Sequence, residues 1–244
     1  MPETKTPEFV RELIVATVAA AIVGLLYLVI ERATAKSWIA ILCALIAGIV
    51  IILLVVFSFA KRTAQSYKFK LRMVGVADVL ENYHNCPPVT DLLRDVTSSM
   101  EFFGISGRTF FEGVGIEELV KRRTREGINF RFLLLDPASP HLPPGAEAEQ
   151  TSPAAWIADI TASIERLKAI QKDVAPDRVR IRTYNAPPTW RTFFLDNRTA
   201  YVNYYALEHG GRDTPVMVIE NHQNSLFHPL HRHFNQCWEN GKEV

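Results

Sequence analysis

Cysteine is scarce in this chain, and the positions of the few present argue against a disulfide-bonded domain and against a zinc-binding domain. The three are Cys43, Cys86 and Cys237. Cys43 lies inside an apolar run, and the other two are far apart without the paired spacing of a zinc site. Thiols of a cytoplasmic domain stay reduced, so we expect no disulfide. Because no metal-ligand spacing is present, we also expect no metal site, and nothing in the sequence predicts a cofactor.

Charge is absent from two long stretches, residues 13–30 and 38–60. Each stretch can cross the hydrocarbon layer of a bilayer, which takes about 20 helical residues. A signal peptide has a shorter apolar core of about 7–15 residues, and a soluble domain of this size would not cover two helices that are apolar all round. We predict a transmembrane hairpin at residues 13–60, preceded by an N-terminal segment, residues 1–12.

Basic residues flank the two predicted spans unequally. The connector contains only Arg32 and Lys36, whereas the outer flanks together contain seven basic residues: Lys5, Arg11, Lys61, Arg62, Lys68, Lys70 and Arg72. Cytoplasmic flanks carry the excess of Lys and Arg, so both termini are predicted to be cytoplasmic. The sequence predicts a multi-pass protein of the inner membrane, with the lipid bilayer as its first partner.

Small residues recur at four-residue spacing in both spans, which places them on one face of each helix. They are Ala16, Ala20 and Gly24 in the first span, and Ala40, Ala44 and Gly48 in the second. Such faces allow helices to pack closely, either within the hairpin or between subunits. Neither span contains the ionisable groups of a transporter, whereas a plain anchor and an oligomeric pore both remain open.

After a basic stalk, residues 61–73, the hydrophobic periodicity becomes that of an alternating α/β domain, residues 74–244. Helices are predicted at residues 89–100, 113–125, 153–174 and 225–239. Strands are predicted at residues 101–106, 128–135, 179–184, 192–195, 199–205 and 216–220. Residues 139–152 are rich in Pro, Gly and Glu and are predicted to be a surface loop.

Three motifs in this order resemble the phospholipase D-like superfamily. Residues 101–137 have the pattern of strand, turn, helix and strand, residues 189–196 (TWRTFFLD) stand where that superfamily carries His-x-Lys-x4-Asp, and residues 234–239 (FNQCWE) resemble its closing helix. The resemblance extends from about residue 74 to the C-terminus. It implies a mixed β-sheet flanked by helices.

The chain departs from this pattern where the superfamily has its chemistry. The resemblance implies a His nucleophile and a phosphate-binding Lys, but Thr189 and Arg191 occupy those positions, while the Asp remains as Asp196. A Thr hydroxyl needs an adjacent base to act as a nucleophile, whereas an arginine suits phosphate well. We therefore expect a phosphate-binding domain rather than an enzyme.

Three further residues are candidates for the phosphate site. Arg108 follows the first strand of the resembling region, Glu220 stands where a supporting acid is common, and His209 is placed in a loop from which it could replace the missing imidazole. Plain alternatives remain open: surface charges for Arg191 and Arg108, and a turn residue for Asp196.

The superfamily's catalytic members bring two motifs together, and this chain has a single altered copy. The resemblance therefore implies an even-numbered homo-oligomer, a dimer or a tetramer. The architecture resembles prokaryotic membrane effectors of antiviral defence, in which a nucleotide or nucleic-acid signal on the cytoplasmic domain controls a pore or membrane disruption. The alternatives are a membrane-anchored phosphodiesterase (phospholipase or nuclease) with a non-standard site, and an anchor that recruits a cytoplasmic partner.

Overall fold

The computed structural model describes Gly24 and residues 38–175, 177–205 and 212–244. It divides into two units, residues 1–68 and residues 69–244. Apart from Gly24, the predicted first span, with its packing residues Ala16 and Ala20, lies outside the described residues, as do the connector and His209. Gly24 is helical and exposed, and Gly48 is buried. The helix-packing role of all six small residues stays a prediction.

Helix α1, Trp38–Met73, contains the predicted second span and the basic stalk in one unbroken helix of 36 residues. Within its part Ile46–Met73, an 18-residue window has a mean hydropathy of 2.1, and α1 is the one helix among the described residues that is long and apolar enough to cross a membrane. Large apolar side chains such as Leu53 and Phe57 are exposed along it. This is evidence for membrane association, while the two-helix hairpin and its orientation stay predictions.

The unit of residues 69–244 contains a mixed sheet of eight strands flanked by helices, ordered β1-β7-β6-β5-β2-β3-β4-β8. The strands are β1 Val76–Leu80, β2 Ser99–Gly104, β3 Asn129–Leu135, β4 Val179–Tyr184, β5 Trp190–Leu195, β6 Thr199–Tyr204, β7 Val216–Glu220 and β8 Lys242–Glu243. The helices are α2 Val89–Asp95, α3 Ile116–Arg125, α4 Leu142–Ala148, α5 Pro153–Lys172 and α6 Phe227–Glu239, with 3-10 helices at Tyr83–Asn85 and Arg108–Glu112. Strands β2, β3 and β4 are parallel, and the remaining pairs are antiparallel.

Both faces of the central strands β2, β3 and β5 are covered, and alternate residues of each strand point to opposite sides. On the first face, Phe102 of β2 contacts Phe110 and Phe193, with ring centroids 6.4 Å and 5.0 Å away. On the second face, Phe103 contacts Phe234 of α6 at 6.2 Å. The two faces account for the nearly continuous apolar run of β3, a pattern typical of a strand covered on both sides.

The structure corrects three of the predicted elements. Helix α2 ends at Asp95, before the predicted boundary, and β2 begins at Ser99. The predicted loop 139–152 contains helix α4, because prolines are tolerated in the first turn of a helix and the apolar Leu142 and Ala146 are buried.

Candidate anion-binding cleft

A cleft of about 240 Å³ opens at the carboxyl ends of the parallel strands. The segment from Ile105 to Thr109, which follows β2, forms one wall, and the first turns of α5 form another. Arg191 of β5 lines the same cleft. Ligands of α/β folds generally bind at this end of the sheet, where loops from several strands meet.

Arg191 is held rigidly at this cleft. It is only 5% exposed, so the alternative of a solvent-facing arginine is wrong. Its Nε donates to Asn203 Oδ1 at 3.0 Å, and its Nη1 donates to Thr109 Oγ1 at 3.3 Å. The guanidinium carbon lies 4.1 Å from the centroid of the Tyr83 ring. A buried charge requires such partners, and these fix where the positive charge sits.

A second layer of hydrogen bonds holds the partner of Arg191 in place. Asn203 faces Arg191 in the register of β5 and β6. Its Nδ2 donates to Thr214 Oγ1 at 3.2 Å, and that hydroxyl donates to the carbonyl of Tyr204 at 2.8 Å. Asn203 and Thr214 are both buried, so the chain of bonds works in a low-dielectric interior, where it is strong.

Two more arginines stand at the mouth of the cleft, Arg108 and Arg212. Arg108 Nη1 lies 3.3 Å from Asp159 Oδ2, and its Nε lies 3.8 Å from Glu112 Oε1. Arg212 pairs with the same oxygen of Glu112, so this carboxylate links both arginines. These side chains are partly exposed, and exposed ion pairs contribute little stability, so their carboxylate partners hold the two arginines only weakly.

The N-terminus of α5 adds a further positive element. Ser152 caps the helix by accepting from the amide of Ala155 at 3.1 Å. Thr151, Ala155 and Trp156 line the cleft. A helix N-terminus carries partial positive charge and favours anions. Asp159 and Glu149 also line the cleft and balance part of the positive charge.

The two phenols beside Arg191 are held in the neutral form. Burial raises the pKa of Tyr205 to about 12, with the Arg191 charge opposing it, and the hydroxyl accepts from the Ile105 amide at 3.1 Å. Burial likewise raises the pKa of Tyr83, again opposed by Arg191. No histidine lines the cleft within the described part of the chain. Among the described residues that line the cleft there is no imidazole, and Tyr205 is present as a neutral phenol.

The structure brings only some of the predicted site residues together. Arg191 and Arg108 line one cleft. Thr189 is exposed just before β5 and does not line it, although its carbonyl accepts from the amide of Tyr205 at 3.1 Å. His209 lies outside the described residues. Arg212 was missed, because no sequence pattern connects it to the strand that carries Arg191.

Asp196 and Glu220 lie toward the other end of the sheet. Asp196 follows the last residue of β5, and Glu220 ends β7 opposite Thr199, whereas Arg191 is opposite Asn203. The carboxylate of Asp196 accepts from the amides of residues 97–99, at 2.7–3.0 Å, and from two hydroxyls. Although burial opposes the shift, these hydrogen bonds hold the pKa of Asp196 below its ordinary value. In the described structure this residue fastens a loop rather than lining the cleft.

Comparison with known proteins gives likenesses of fold only. No family model and no curated protein matches the chain. The phospholipase D family member Nuc from Salmonella typhimurium is 14% identical over 64% of this chain and 88% of its own, with a TM-score of 0.41. TrmBL2, an archaeal chromatin protein, is 12% identical over 82% and 70%, with a TM-score of 0.42. Phosphatidylserine synthase from Haemophilus influenzae is 11% identical over 68% of this chain and 39% of its own, with a TM-score of 0.48.

Proposed function

We propose that residues 69–244 form a receptor for a phosphate-bearing ligand, attached to a membrane by helix α1, and that the ligand binds at the cleft around Arg191. One observation carries the proposal: a buried arginine, fixed by Asn203 and Thr109, lines a cleft that two further arginines also line. A guanidinium fixed in advance binds an anion without first losing conformational freedom.

The proposal favours binding over turnover. The resemblance to the phospholipase D-like superfamily makes a phosphate ligand plausible, and the residue at its nucleophile position, Thr189, does not line the cleft. The phenols of Tyr83 and Tyr205 are neutral at physiological pH, as tyrosines ordinarily are, and burial raises the pKa of each further. A receptor retains the cationic site while lacking the group that would break the phosphate ester.

In its fuller form, the proposal describes a membrane effector. A nucleotide or nucleic-acid signal binds the cytoplasmic cleft and controls an even-numbered bundle of transmembrane helices, as a pore or by membrane disruption, in prokaryotic antiviral defence. Its support is the architecture: an anion-binding cleft follows a helix that is apolar enough to span a membrane and whose sequence carries small residues at helix-packing spacing.

The test is calorimetry on the full chain in detergent, titrated with inorganic phosphate, nucleotides, cyclic dinucleotides and short single strands. Replacing a charge-assisted contact costs about 1.5–3 kcal/mol, so Arg191→Gln should weaken binding by roughly 10- to 150-fold. Because Arg191 is buried, the exposed Arg108→Gln provides a second variant with less risk to folding. Arg94→Gln, an exposed arginine that does not line the cleft, is the control. Binding by none of these compounds, or equal binding by all variants, would contradict the proposal.

A membrane-anchored phosphodiesterase is the second candidate. The observation that favours it is the presence of two carboxylates, Asp159 and Glu149, in the cleft with the arginines. Either could serve as a base toward water. Turnover of bis(4-nitrophenyl) phosphate or of a phospholipid by the full chain, abolished in Asp159→Asn, would establish this candidate and exclude the receptor.

A further inference from the structure

Helix α1 continues past its apolar part as a basic segment, residues 61–73. We propose that this basic segment binds the headgroups of anionic lipids. It contains five exposed basic residues, Lys61, Arg62, Lys68, Lys70 and Arg72. The sequence has no acidic residue between Glu31 and Asp78, so the segment carries a net positive charge. Such segments next to a span are attracted to anionic membrane surfaces.

Exposed apolar side chains lie among these basic residues. Tyr67 is 63% exposed, Phe69 65% and Met73 60%. A helix that only bridged water would gain nothing from them, whereas aromatic and long apolar side chains are favourable at the headgroup level of a bilayer. The basic segment therefore carries both kinds of group that a membrane interface attracts.

The position of the basic segment favours lipid over other anionic partners. The charge-free residues 38–60 rise about 35 Å as a helix, slightly more than the hydrocarbon thickness of about 30 Å. Lys61 follows directly and therefore reaches the headgroups whenever α1 spans the bilayer. A second copy of the same helix is a poor occupant, because it would bring like charges together. Nucleic acid also fits the charge, and the test must separate it from lipid.

The experiment uses the full chain in phosphatidylcholine vesicles with spin-labelled lipids as probes. The measured quantity is the association constant of labelled phosphatidylglycerol relative to labelled phosphatidylcholine. We expect a ratio of at least about five in low salt, the effect of one basic group close to an anionic surface. In 1 M NaCl the ratio should fall toward one, because the screening length shrinks to about 3 Å. This salt response tests the proposal on the unmodified chain.

A charge-neutralised variant tests the same point independently. Replacing the five basic residues of the segment by Gln should bring the ratio to about one. The matched control neutralises five exposed basic residues of the 69–244 unit, namely Arg94, Arg122, Arg125, Lys168 and Lys172, and should leave the ratio unchanged. A ratio of one in the unmodified chain, or equal loss in the control, overturns the proposal. The proposal is also overturned if the unmodified chain shows a ratio of one and binds a short DNA duplex tightly, and if the five substitutions abolish that DNA binding.

Discussion

At the scale of single residues, two charged side chains from one short motif have different structural roles. Arg191 points into the cleft, where its guanidinium is fixed by an amide and a hydroxyl. Asp196, five positions later, binds the backbone of residues 97–99. The spacing that resembles a catalytic motif thus joins one residue that lines the cleft to one residue that holds a loop. In the proposed receptor the charge of Arg191 serves ligand binding, whereas the contacts of Asp196 serve stability.

We predict that Asp196→Asn lowers the free energy of unfolding by about 1–2 kcal/mol, because an amide offers one acceptor where the carboxylate offers two. Asn tolerates the positive φ of 54° at this position, so the change isolates the lost acceptor.

The stabilisation by Asp196 should also depend on pH. The pKa of Asp196 is lowered in the folded state, so its stabilisation is present above the unfolded pKa of about 3.9 and is lost as the pH falls through the folded value. Urea unfolding of the full chain in detergent should show this loss, and the variant should show a smaller pH dependence, because only the contribution of groups such as Glu101 remains. Asp95→Asn, at an exposed position, is the control; equal stability of Asp196→Asn and the parent chain would refute the assignment.

At the scale of elements, helix α6 is fastened to the second face of the sheet by a small polar cluster. Glu101 of β2 pairs with Arg131 of β3 and accepts from His231 Nε2 of α6 at 2.7 Å. Arg131 also donates to Asn235 of α6 at 3.1 Å. Although burial opposes the shift, His231 and Arg131 hold the pKa of Glu101 below its ordinary value. These polar contacts therefore fix the position of α6 on the second face of the sheet, where the other contacts of the helix are mostly aromatic.

Removing one member of this cluster should cost more than removing two. Glu101→Gln leaves the largely buried guanidinium of Arg131 without its counter-charge, which we expect to cost about 3 kcal/mol of unfolding free energy. The double change Glu101→Gln with Arg131→Met should cost less, because no isolated charge remains. Denaturant unfolding of four chains, namely the parent, Glu101→Gln, Arg131→Met and the double variant, gives the coupling energy. Strictly additive effects would show that the pair acts as two independent surface residues.

At the scale of the whole molecule, the sequence predicts those parts of the fold that depend on local patterns. Helix α1 follows from the absence of charge, and β4 and β7 follow from their apolar content, with bounds that the structure reproduces. Helix α4 was missed because its Pro-Pro-Gly content is typical of a loop, whereas the burial of Leu142 decides its structure. Burial by distant segments is not visible in a local pattern.

The site was predictable only in part, for the same physical reason. An arginine at position 191 could be assigned to phosphate from its place in the motif. Its burial and its pairing with Asn203 depend on the register of β5 and β6, which position alone does not give. The contacts between Asp196 and residues 97–99 join parts of the chain almost a hundred residues apart. Arg212 lines the cleft together with Arg108 and pairs with Glu112, which is 100 positions away in the sequence.

The last prediction concerns the orientation of the chain in the membrane, on which both proposals depend. Five basic residues directly follow the apolar part of α1, and flanks rich in Lys and Arg stay on the cytoplasmic side. That side also has the anionic leaflet and the nucleotides that the cleft would bind. We expect a fluorescent protein fused after Val244 to be bright and an alkaline phosphatase fused there to be inactive, because the latter requires the periplasm. Replacing the five basic residues by Gln should weaken this preference and raise phosphatase activity, whereas neutralising Arg94, Arg122, Arg125, Lys168 and Lys172 should not. High phosphatase activity in the unmodified chain would place the arginine cleft outside the cytoplasm and remove the basis for a cytoplasmic phosphate ligand.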